Sequence, residues 1–294
     1  MTQEGLMLVS YGSHGLARLD DGTTVQCQYR RQVGRPYCGD RVTLAISEDG
    51  AGVVQAIQAR RNEFARASAQ QRKSTIAANL DQVLIVISPR PEPSRDLVER
   101  YLLAVHSLSI SPIIILNKAE LSKPQTGYGA DVLRHLPAYR TLGYVVVETS
   151  CKGPPGVDAL LPVLTNKTSI LVGQSGVGKS SLVRQLLPDL EIQTGAVSRA
   201  TGKGTHTTTT TILYDLPGGG FLMDSPGVWE YGLWKLDAAD IAEGFVEFRP
   251  MLGACRFNDC RHDNEPGCEI KEAVSAGTIL QWRYESYLRL LSQN

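Results

Sequence analysis

The chain has 294 residues, and its 30 basic side chains balance 30 acidic ones, so that its formal net charge is zero. A hydrophobic content of 42% and a mean hydropathy of −0.13 exclude a disordered or fibrous protein. The longest apolar runs, such as VLIVI at 83–87, have the length of strands rather than membrane spans. The first residues lack a secretory pattern, and we expect a cytoplasmic protein.

Residues 1–66 predict a small β-barrel. Five short alternating runs, at 6–11, 16–19, 23–29, 40–46 and 52–57, are separated by Gly and Asp turn signals without a helical pattern between them. This spacing predicts a barrel of the oligonucleotide-binding (OB) type. The barrel offers either a face for nucleic acid or a surface for protein packing.

A basic stretch, QARRNEFARASAQQRKST, follows at 58–75. Its only acid is Glu63, and its cations are Arg60, Arg61, Arg66, Arg72 and Lys73. The stretch predicts either phosphate contacts or a solvated linker.

The last 59 residues, from 236 to 294, are acidic instead, because their 6 basic and 10 acidic side chains give a net charge of −4.

Residues 67–235 predict an α/β domain. Apolar strand-like runs alternate with helical patterns such as SRDLVERYLLAVHSL, in which Ser94 is the expected N-cap. This alternation predicts a mostly parallel sheet covered by helices.

Residues 236–294 predict a third, helical domain, because AADIAEGFVEF and ILQWRYESYLRLL lie on either side of a Cys-rich turn.

The segment GQSGVGKS at 173–180 fits the phosphate-loop pattern GxxxxGK[ST]. It lies between the strand-like TSILV and the helix-like SSLVRQLL, and backbone N–H groups in this context surround phosphates at a helix N-terminus. We expect Lys179 to reach the β- and γ-phosphates and the Ser180 hydroxyl to ligate Mg²⁺. The expected phosphate-binding residues are Gly173, Gln174, Ser175, Gly176, Val177, Gly178, Lys179, Ser180 and Ser181.

Two short motifs predict guanine as the base. Asn117, Lys118 and Glu120, which end the run PIIILNKAEL, resemble an NKxD motif in which Glu replaces Asp. In that motif the Asn amide hydrogen-bonds to the edge of guanine, and the carboxylate accepts hydrogen bonds from the guanine N1–H and exocyclic amine. The second motif resembles SAK and consists of Ser150, Cys151 and Lys152. Both motifs follow apolar strands, where ligands of open α/β sheets bind.

The γ-phosphate side is predicted from two further segments. GFLMDSPG at 220–227 supplies DxxG, in which Asp224 is expected to hold Mg²⁺ through water and the Gly227 N–H to contact the γ-phosphate. SRATGKGTHTTTTT at 198–211 resembles a first switch loop, whose threonine completes the Mg²⁺ shell. Thr208 is the expected ligand, with Thr207 and Thr209 as alternatives.

The order of these motifs predicts a circular permutation. Ordinary GTPases run from the phosphate loop through the switches to the base motifs, whereas here the base motifs come first. The second switch therefore leads directly into the C-terminal domain, so that a change at the γ-phosphate could move that domain.

Hydrolysis should be slow. Ras-like enzymes carry, after DxxG, a Gln that orients the attacking water, and this chain carries Val228. His206, just before the threonines, is the nearby side chain able to orient or accept from a water at neutral pH. We expect His206 to be catalytic, the alternative being a solvated loop histidine.

The segment CRFNDCRHDNEPGC predicts a metal centre in the C-terminal domain. Its ligands would be Cys255, Cys260, His262 and Cys268. A Cys₃His set suits tetrahedral Zn²⁺, and four protein ligands leave no open position, so this zinc would be structural. Disulfides are the alternative, which a cytoplasmic location disfavours.

The barrel, the permuted motifs, the DSPG segment and the CxxxxCxHxxxxxC cluster together resemble the family of ribosome small-subunit-dependent GTPases A, the RsgA (YjeQ) family. The resemblance covers nearly the whole chain. It implies Mg²⁺ with GTP, a barrel that binds rRNA of the small (30S) ribosomal subunit, a slow GTPase stimulated by that subunit, and a role in late subunit maturation. We expect a monomer.

Two other classes of function stay open at this point. One is a P-loop ATPase or small-molecule kinase, because a phosphate loop by itself does not select the base. The other is an RNA-binding module in which the nucleotide only tunes affinity, which Val228 favours.

Overall fold

The computed structural model describes residues 2–67, 73–93, 96–108, 110–122, 130–187, 189–190, 211–224 and 236–293. The N-terminal strands are β1 (Thr2–Tyr11), β2 (His14–Leu19), β3 (Thr24–Tyr29), β4 (Arg41–Ile46) and β5 (Gly52–Ile57). They close into a barrel because β1 pairs with both β2 and β4, while β5 pairs with β4 and, in parallel, with β3. Met7, Val42 and Leu44 fill its interior. The predicted five-stranded barrel is confirmed.

A hairpin that the sequence analysis did not predict follows the barrel. Strands β6 (Glu63–Ala67) and β7 (Lys73–Ala78) pair with each other within the basic stretch. The hairpin forms because it buries Phe64 and Ala77.

Two cations of the basic stretch are paired. Arg60 bonds to the buried carboxylate of Asp40 at 2.7 Å, and Arg61 pairs with Asp81 at 2.8 Å. The side chains of Arg66 and Lys73, and the whole of Arg72, lie outside the described residues.

The α/β part contains β8 (Gln82–Ile87), β9 (Ser111–Leu116), β10 (Val145–Glu148), β11 (Thr168–Val172), β12 (Ile212–Asp215) and β13 (Phe221–Asp224). Its helices are α1 (Leu97–His106), α2 (Ala130–Thr141), α3 (Leu161–Leu164) and α4 (Lys179–Leu186). The strands lie in the order β10-β9-β8-β11-β13-β12, all parallel except β12, and β12 also pairs with β1. The predicted, mostly parallel sheet is confirmed.

Helices cover both faces of this sheet. Side chains of β8 alternate between two cores: Val83 and Ile85 face α1 and α2, whereas Leu84 and Val86 face α3 and α4. Every side chain of β8 is buried, which explains its unbroken apolar run. The expected N-cap Ser94 lies outside the described residues, and Asp96 precedes α1 in the structure.

The C-terminal domain consists of α5 (Ala238–Gly244), α6 (Glu269–Ser275) and α7 (Gln281–Ser292) around the Cys-rich loop. The helix α5 ends at Gly244, before the end of its sequence pattern. A Cβ at Gly244 would overlap the Leu103 side chain, so this glycine permits close packing of α5 on α1. Among the described residues, every helix is too short or too polar to span a lipid bilayer.

A buried cation attaches this domain to the α/β part. Arg283 of α7 is 1% exposed and forms ion pairs with Glu99 of α1 and, at 2.6 Å, with Glu247. Trp282 stacks on His135 of α2 with the ring centroids 3.9 Å apart. The C-terminal domain therefore packs on the helices that flank the base motifs.

Candidate nucleotide site and metal cluster

The phosphate-loop segment connects β11 to α4. Gly173 and Gly178 have φ angles of 141° and 99°, which favour glycine, and a Cβ at Gly173 would overlap the Val86 carbonyl. Lys179 is the first residue of α4, and its Nζ donates to the carbonyl oxygens of Gly173 at 2.6 Å and Gln174 at 3.0 Å. The loop thus curls around the ammonium group.

The other predicted phosphate-loop residues lie around this turn. Ser175, Gly176 and Ser180 are exposed, whereas Val177 is buried against the sheet. Ser181 is half-buried, and its N–H donates to the Gly178 carbonyl at 3.1 Å. Exposed backbone and hydroxyl groups at a helix N-terminus are what a phosphate chain requires.

Lys179 and Asp224 lie close together at the carboxyl edge of the sheet, where β11 and β13 run in parallel and Leu171 pairs with Asp224. Burial lowers the pKa of Lys179, and Asp224 opposes this shift. Burial likewise raises the pKa of Asp224, and Lys179 opposes it. Each charge offsets part of the desolvation cost of the other, and a phosphate with Mg²⁺ would satisfy both.

The first base motif is bonded to the phosphate loop. Asn117 is 1% exposed; its Nδ2 donates to the Val177 carbonyl at 2.8 Å, and its Oδ1 accepts from Thr149 Oγ1 at 3.1 Å. Lys118 Nζ donates to the Gly176 carbonyl at 2.6 Å. A Cβ at Gly178 would overlap Asn117 Nδ2, so this glycine permits the contact. Segments some 60 positions apart thereby form one site.

The second base motif lies beside the first. Ser150 is 1% exposed, and its Oγ accepts from the N–H groups of Lys152 and Gly153, both at 3.1 Å. The Cys151 carbonyl accepts from Gln185 of α4 at 3.0 Å. Burial, with a smaller contribution from the Glu120 charge, raises the pKa of Cys151, which places Glu120 near this loop.

The structure therefore brings together the predicted base and phosphate residues that it describes, together with Asp224. The predicted catalytic residue and the γ-phosphate residues lie outside the described residues; they are His206, Thr208 with its alternatives Thr207 and Thr209, Gly227 and Val228.

The four predicted metal ligands form a compact cluster, with all ligand atoms within 4.8 Å of one another. His262 Nδ1 lies 3.5 Å from Cys255 Sγ and 3.4 Å from Cys268 Sγ, and the two sulfurs are 4.0 Å apart. A tetrahedral Zn²⁺ with bonds of about 2.3 Å to sulfur and about 2.0 Å to nitrogen separates its ligands by roughly 3.5–3.8 Å. The Cys₃His cluster fits a zinc site, and all six cysteines are free thiols.

Helix α7 supports the metal-ligand loop. Tyr284 Oη donates to the His262 carbonyl and Tyr287 Oη to the Arg261 carbonyl, both at 2.7 Å. The Glu265 carboxylate accepts from the backbone N–H groups of Arg261 and Asp263, and these bonds lower its pKa. Sequence analysis missed these supporting residues, because nothing in the pattern ILQWRYESYLRLL distinguishes them from core tyrosines.

A cleft of about 840 Å³ lies away from both sites, between the barrel and the amino ends of the parallel strands. Arg18, Arg41 and Arg61 line it, and each is ion-paired with an aspartate. None of the predicted site residues that the structure describes lines this cleft.

Comparisons with known proteins identify a family of GTPases and similar relatives. The family model of the RsgA GTPase matches residues 57–234. A small ribosomal subunit biogenesis GTPase RsgA from Chromohalobacter salexigens is 46% identical over 90% of this chain and 77% of its own length. The protein of that name from Pseudomonas aeruginosa is 42% identical over 99% of this chain and 85% of its own.

Two solved structures are similar over the whole chain. YjeQ from Thermotoga maritima has a TM-score of 0.80 and 28% identity, and covers 100% of this chain and 98% of its own. The circularly permuted GTPase YloQ has a TM-score of 0.78 and 26% identity, and the match covers 100% of this chain and 95% of YloQ.

Proposed function

Because the chain belongs to the RsgA GTPase family, we propose that it hydrolyses GTP on the small ribosomal subunit as a timing step in late subunit maturation. Members of this family are GTPases, so the enzyme activity is hydrolysis of GTP to GDP and phosphate. The curated relatives are named for small-subunit biogenesis, which supports the 30S subunit as partner. The observation that carries the proposal is the bonding of Asn117 and Lys118 to the phosphate loop.

In this proposal each group of site residues has one task. Lys179 holds the β- and γ-phosphates, while Asn117 and Glu120 read guanine. Ser150, Cys151 and Lys152 border the base, and Gly227 contacts the γ-phosphate. Mg²⁺, when bound, neutralises phosphate charge. Its ligands are Ser180, Thr208 and, through water, Asp224.

The metal cluster has a structural task in this proposal. Cys255, Cys260, His262 and Cys268 hold one Zn²⁺ that closes the loop between α5 and α6. The distances between their ligand atoms support this assignment.

The contact surface and the location follow from the proposed partner, the small ribosomal subunit. The barrel and the basic hairpin β6–β7 contact rRNA of the small subunit, the protein acts as a monomer, and it works in the cytoplasm, where subunits mature. Phosphate contacts weaken as salt rises, so we expect subunit binding to depend steeply on salt concentration, and a flat dependence would contradict this assignment.

His206 is proposed as the catalytic residue. Val228 lacks a polar group, so another side chain must orient the attacking water. We expect His206→Ala to reduce subunit-stimulated turnover by about 10²-fold or more, with GTP affinity within about threefold of the wild type. Equal losses of turnover and affinity would make His206 a structural residue.

The test of the whole proposal is GTP turnover with and without purified small ribosomal subunits. Lys179→Ala is the inactive reference, and Lys167→Ala, an exposed lysine at the opposite edge of the sheet, is the matched control. We expect a large stimulation in the wild type and the control and none in the reference. Displacement of GTP by equal ATP would instead indicate an ATPase or kinase, and bound GTP without turnover on the subunit would indicate an RNA-binding module.

A further inference from the structure

The hairpin β12–β13 lies between the barrel and the nucleotide site. Strand β12 begins at Ile212, directly after the predicted first switch loop, and β13 ends at Asp224, the first residue of DxxG. The antiparallel register pairs Ile212 with Asp224 at the open end and Asp215 with Phe221 at the closed end. The open end therefore faces the γ-phosphate side, and we call this element the switch hairpin.

The barrel contacts both ends of the switch hairpin. Val9 of β1 pairs with Ile212 at the open end. At the closed end, Arg18 of β2 forms an ion pair with Asp215, and its guanidinium lies over the Phe221 ring at 5.0 Å from the centroid. One barrel side chain thus holds both strands of the hairpin.

The middle of the switch hairpin is buried against the barrel. Val9 and Leu16 share one core with Leu213 and Met223, and all four are at most 4% exposed. Gly39, with a φ of 89°, approaches so closely that a Cβ would lie 2.7 Å from Met223 Cε, next to Asp224. Because packed cores shift between discrete arrangements rather than deform continuously, the hairpin cannot move without the barrel.

We propose that the switch hairpin couples the barrel to the γ-phosphate end of the nucleotide site, and that Arg18 is a positioning residue for Asp224. This inference rests on the proposed GTPase function. A ligand that shifts the barrel changes the affinity for GTP relative to GDP, and by linkage GTP changes the affinity of the barrel for its ligand. Because GDP lacks the γ-phosphate, we expect its affinity to depend less on the position of the hairpin.

The experiment measures GTP and GDP affinities of the full chain by fluorescent-nucleotide titration with Mg²⁺. In Arg18→Ala we expect the preference for GTP over GDP to change by about threefold to tenfold, with GDP affinity nearly unchanged. The charge-exchanged variant R18D/D215R should recover part of this change. The matched control is Arg41→Ala, which removes an exposed ion pair with Asp20 on the barrel surface and should leave the preference for GTP over GDP unaltered.

Two results would overturn the inference. One is an unchanged nucleotide preference in Arg18→Ala, and the other is an equal loss of GTP and GDP affinity, which would reduce Arg18 to a support of the fold. Circular dichroism of each variant checks that the barrel is intact, and R18D/D215R provides the test if Arg18→Ala unfolds. A wild-type chain that does not select guanine nucleotides would contradict the proposed function itself.

Discussion

At the scale of single residues, the nucleotide site depends on close contacts between the base motif and the phosphate loop. Asn117 is buried and bonds to the Val177 carbonyl only because Gly178 has no side chain. This contact joins the base motif directly to the phosphate loop. A site held in its binding geometry loses less entropy when the nucleotide enters.

Replacing Gly178 should therefore weaken nucleotide binding without unfolding the chain. In Gly178→Ala the new methyl displaces the Asn117 amide, and the left-handed φ of 99° adds strain, so we expect at least a tenfold loss of GTP affinity in titrations. Gly143→Ala is the control, because its φ of 88° is similar and no atom lies within 4 Å of the added methyl. Equal affinities of the two variants would contradict this explanation.

At the scale of elements, α1 ends in a shielded histidine. His106 Nε2 lies 3.0 Å from Tyr144 Oη. Burial, together with the nearby cations Arg249 and Arg283 and against the opposing charge of Glu247, lowers the pKa of His106 to about 4. The unfolded chain has a histidine pKa of about 6.5 and so binds more protons between pH 6.5 and 4. The contribution of His106 to the free energy of unfolding is therefore fully present above pH 6.5 and is lost as the pH falls from 6.5 to 4.

His106→Gln should flatten this dependence, because glutamine keeps a bond to Tyr144 but does not titrate. We expect the wild type to lose on the order of 1–3 kcal/mol more unfolding free energy than the variant between pH 6.5 and 4. Urea unfolding of both chains at several pH values measures this difference in unfolding free energy. Acid effects on the metal cluster are common to both chains, so parallel profiles would show that His106 does not contribute.

We expect the loop between α5 and α6 to depend on the metal that its Cys₃His cluster is proposed to hold. Cys268 is buried in the C-terminal core, and Cys255 and Cys260 are partly buried against it, while α7 adds tyrosine hydrogen bonds to the His262 and Arg261 carbonyls. Short loops of this kind gain most of their folding free energy from the metal.

Cys268→Ser should therefore release zinc and unfold the C-terminal domain. We expect zinc content to fall from one per chain to near zero and helical circular dichroism to decrease, while intrinsic GTP affinity changes by less than about threefold. Cys27→Ala, a buried barrel cysteine, should keep its zinc. Full zinc content in Cys268→Ser would refute the proposed ligand set.

At the scale of the whole molecule, a buried ion cluster fixes the C-terminal domain on the α/β part. Arg283 contacts Glu99 and Glu247, Tyr139 Oη donates to Glu99, and the Phe245 ring lies 4.5 Å from the guanidinium. The chain order alone predicts that the second switch moves this domain. In the described part of the structure the domain is held on α1, so such a movement would have to displace α1 or break this cluster.

Arg283→Met should destabilise the protein strongly, because it leaves Glu99 and Glu247 buried without a cation. We expect a loss of about 3–5 kcal/mol in urea unfolding. Adding Glu99→Gln should restore part of it. Arg140→Met is the control; it breaks the exposed pair with Glu148 and should cost less than about 1 kcal/mol. Similar losses for Arg283→Met and Arg140→Met would exclude the ion cluster as the anchor.

The sequence alone was sufficient to predict those elements and candidate sites that a local residue pattern specifies. Alternating runs determined the barrel strands, and continuous apolar runs determined the strands of the parallel sheet. The glycine spacing of 173–180 and the spacing of the cysteines with His262 pointed to their ligands. These features are local because backbone dihedrals and ligand reach depend on residues only a few positions apart.

Only the tertiary structure decided which distant residues meet. It showed the hairpin β6–β7, whose strands EFARA and KSTIAA have no clear alternation of polar and apolar residues, and the burial of Glu99, which by sequence is an ordinary first-turn acid. It also decided that Asn117 bonds to Val177, that Arg283 reaches α1, and that β1 pairs with β12. Such contacts join segments far apart in the chain, and they depend on how the cores pack rather than on any one segment's pattern.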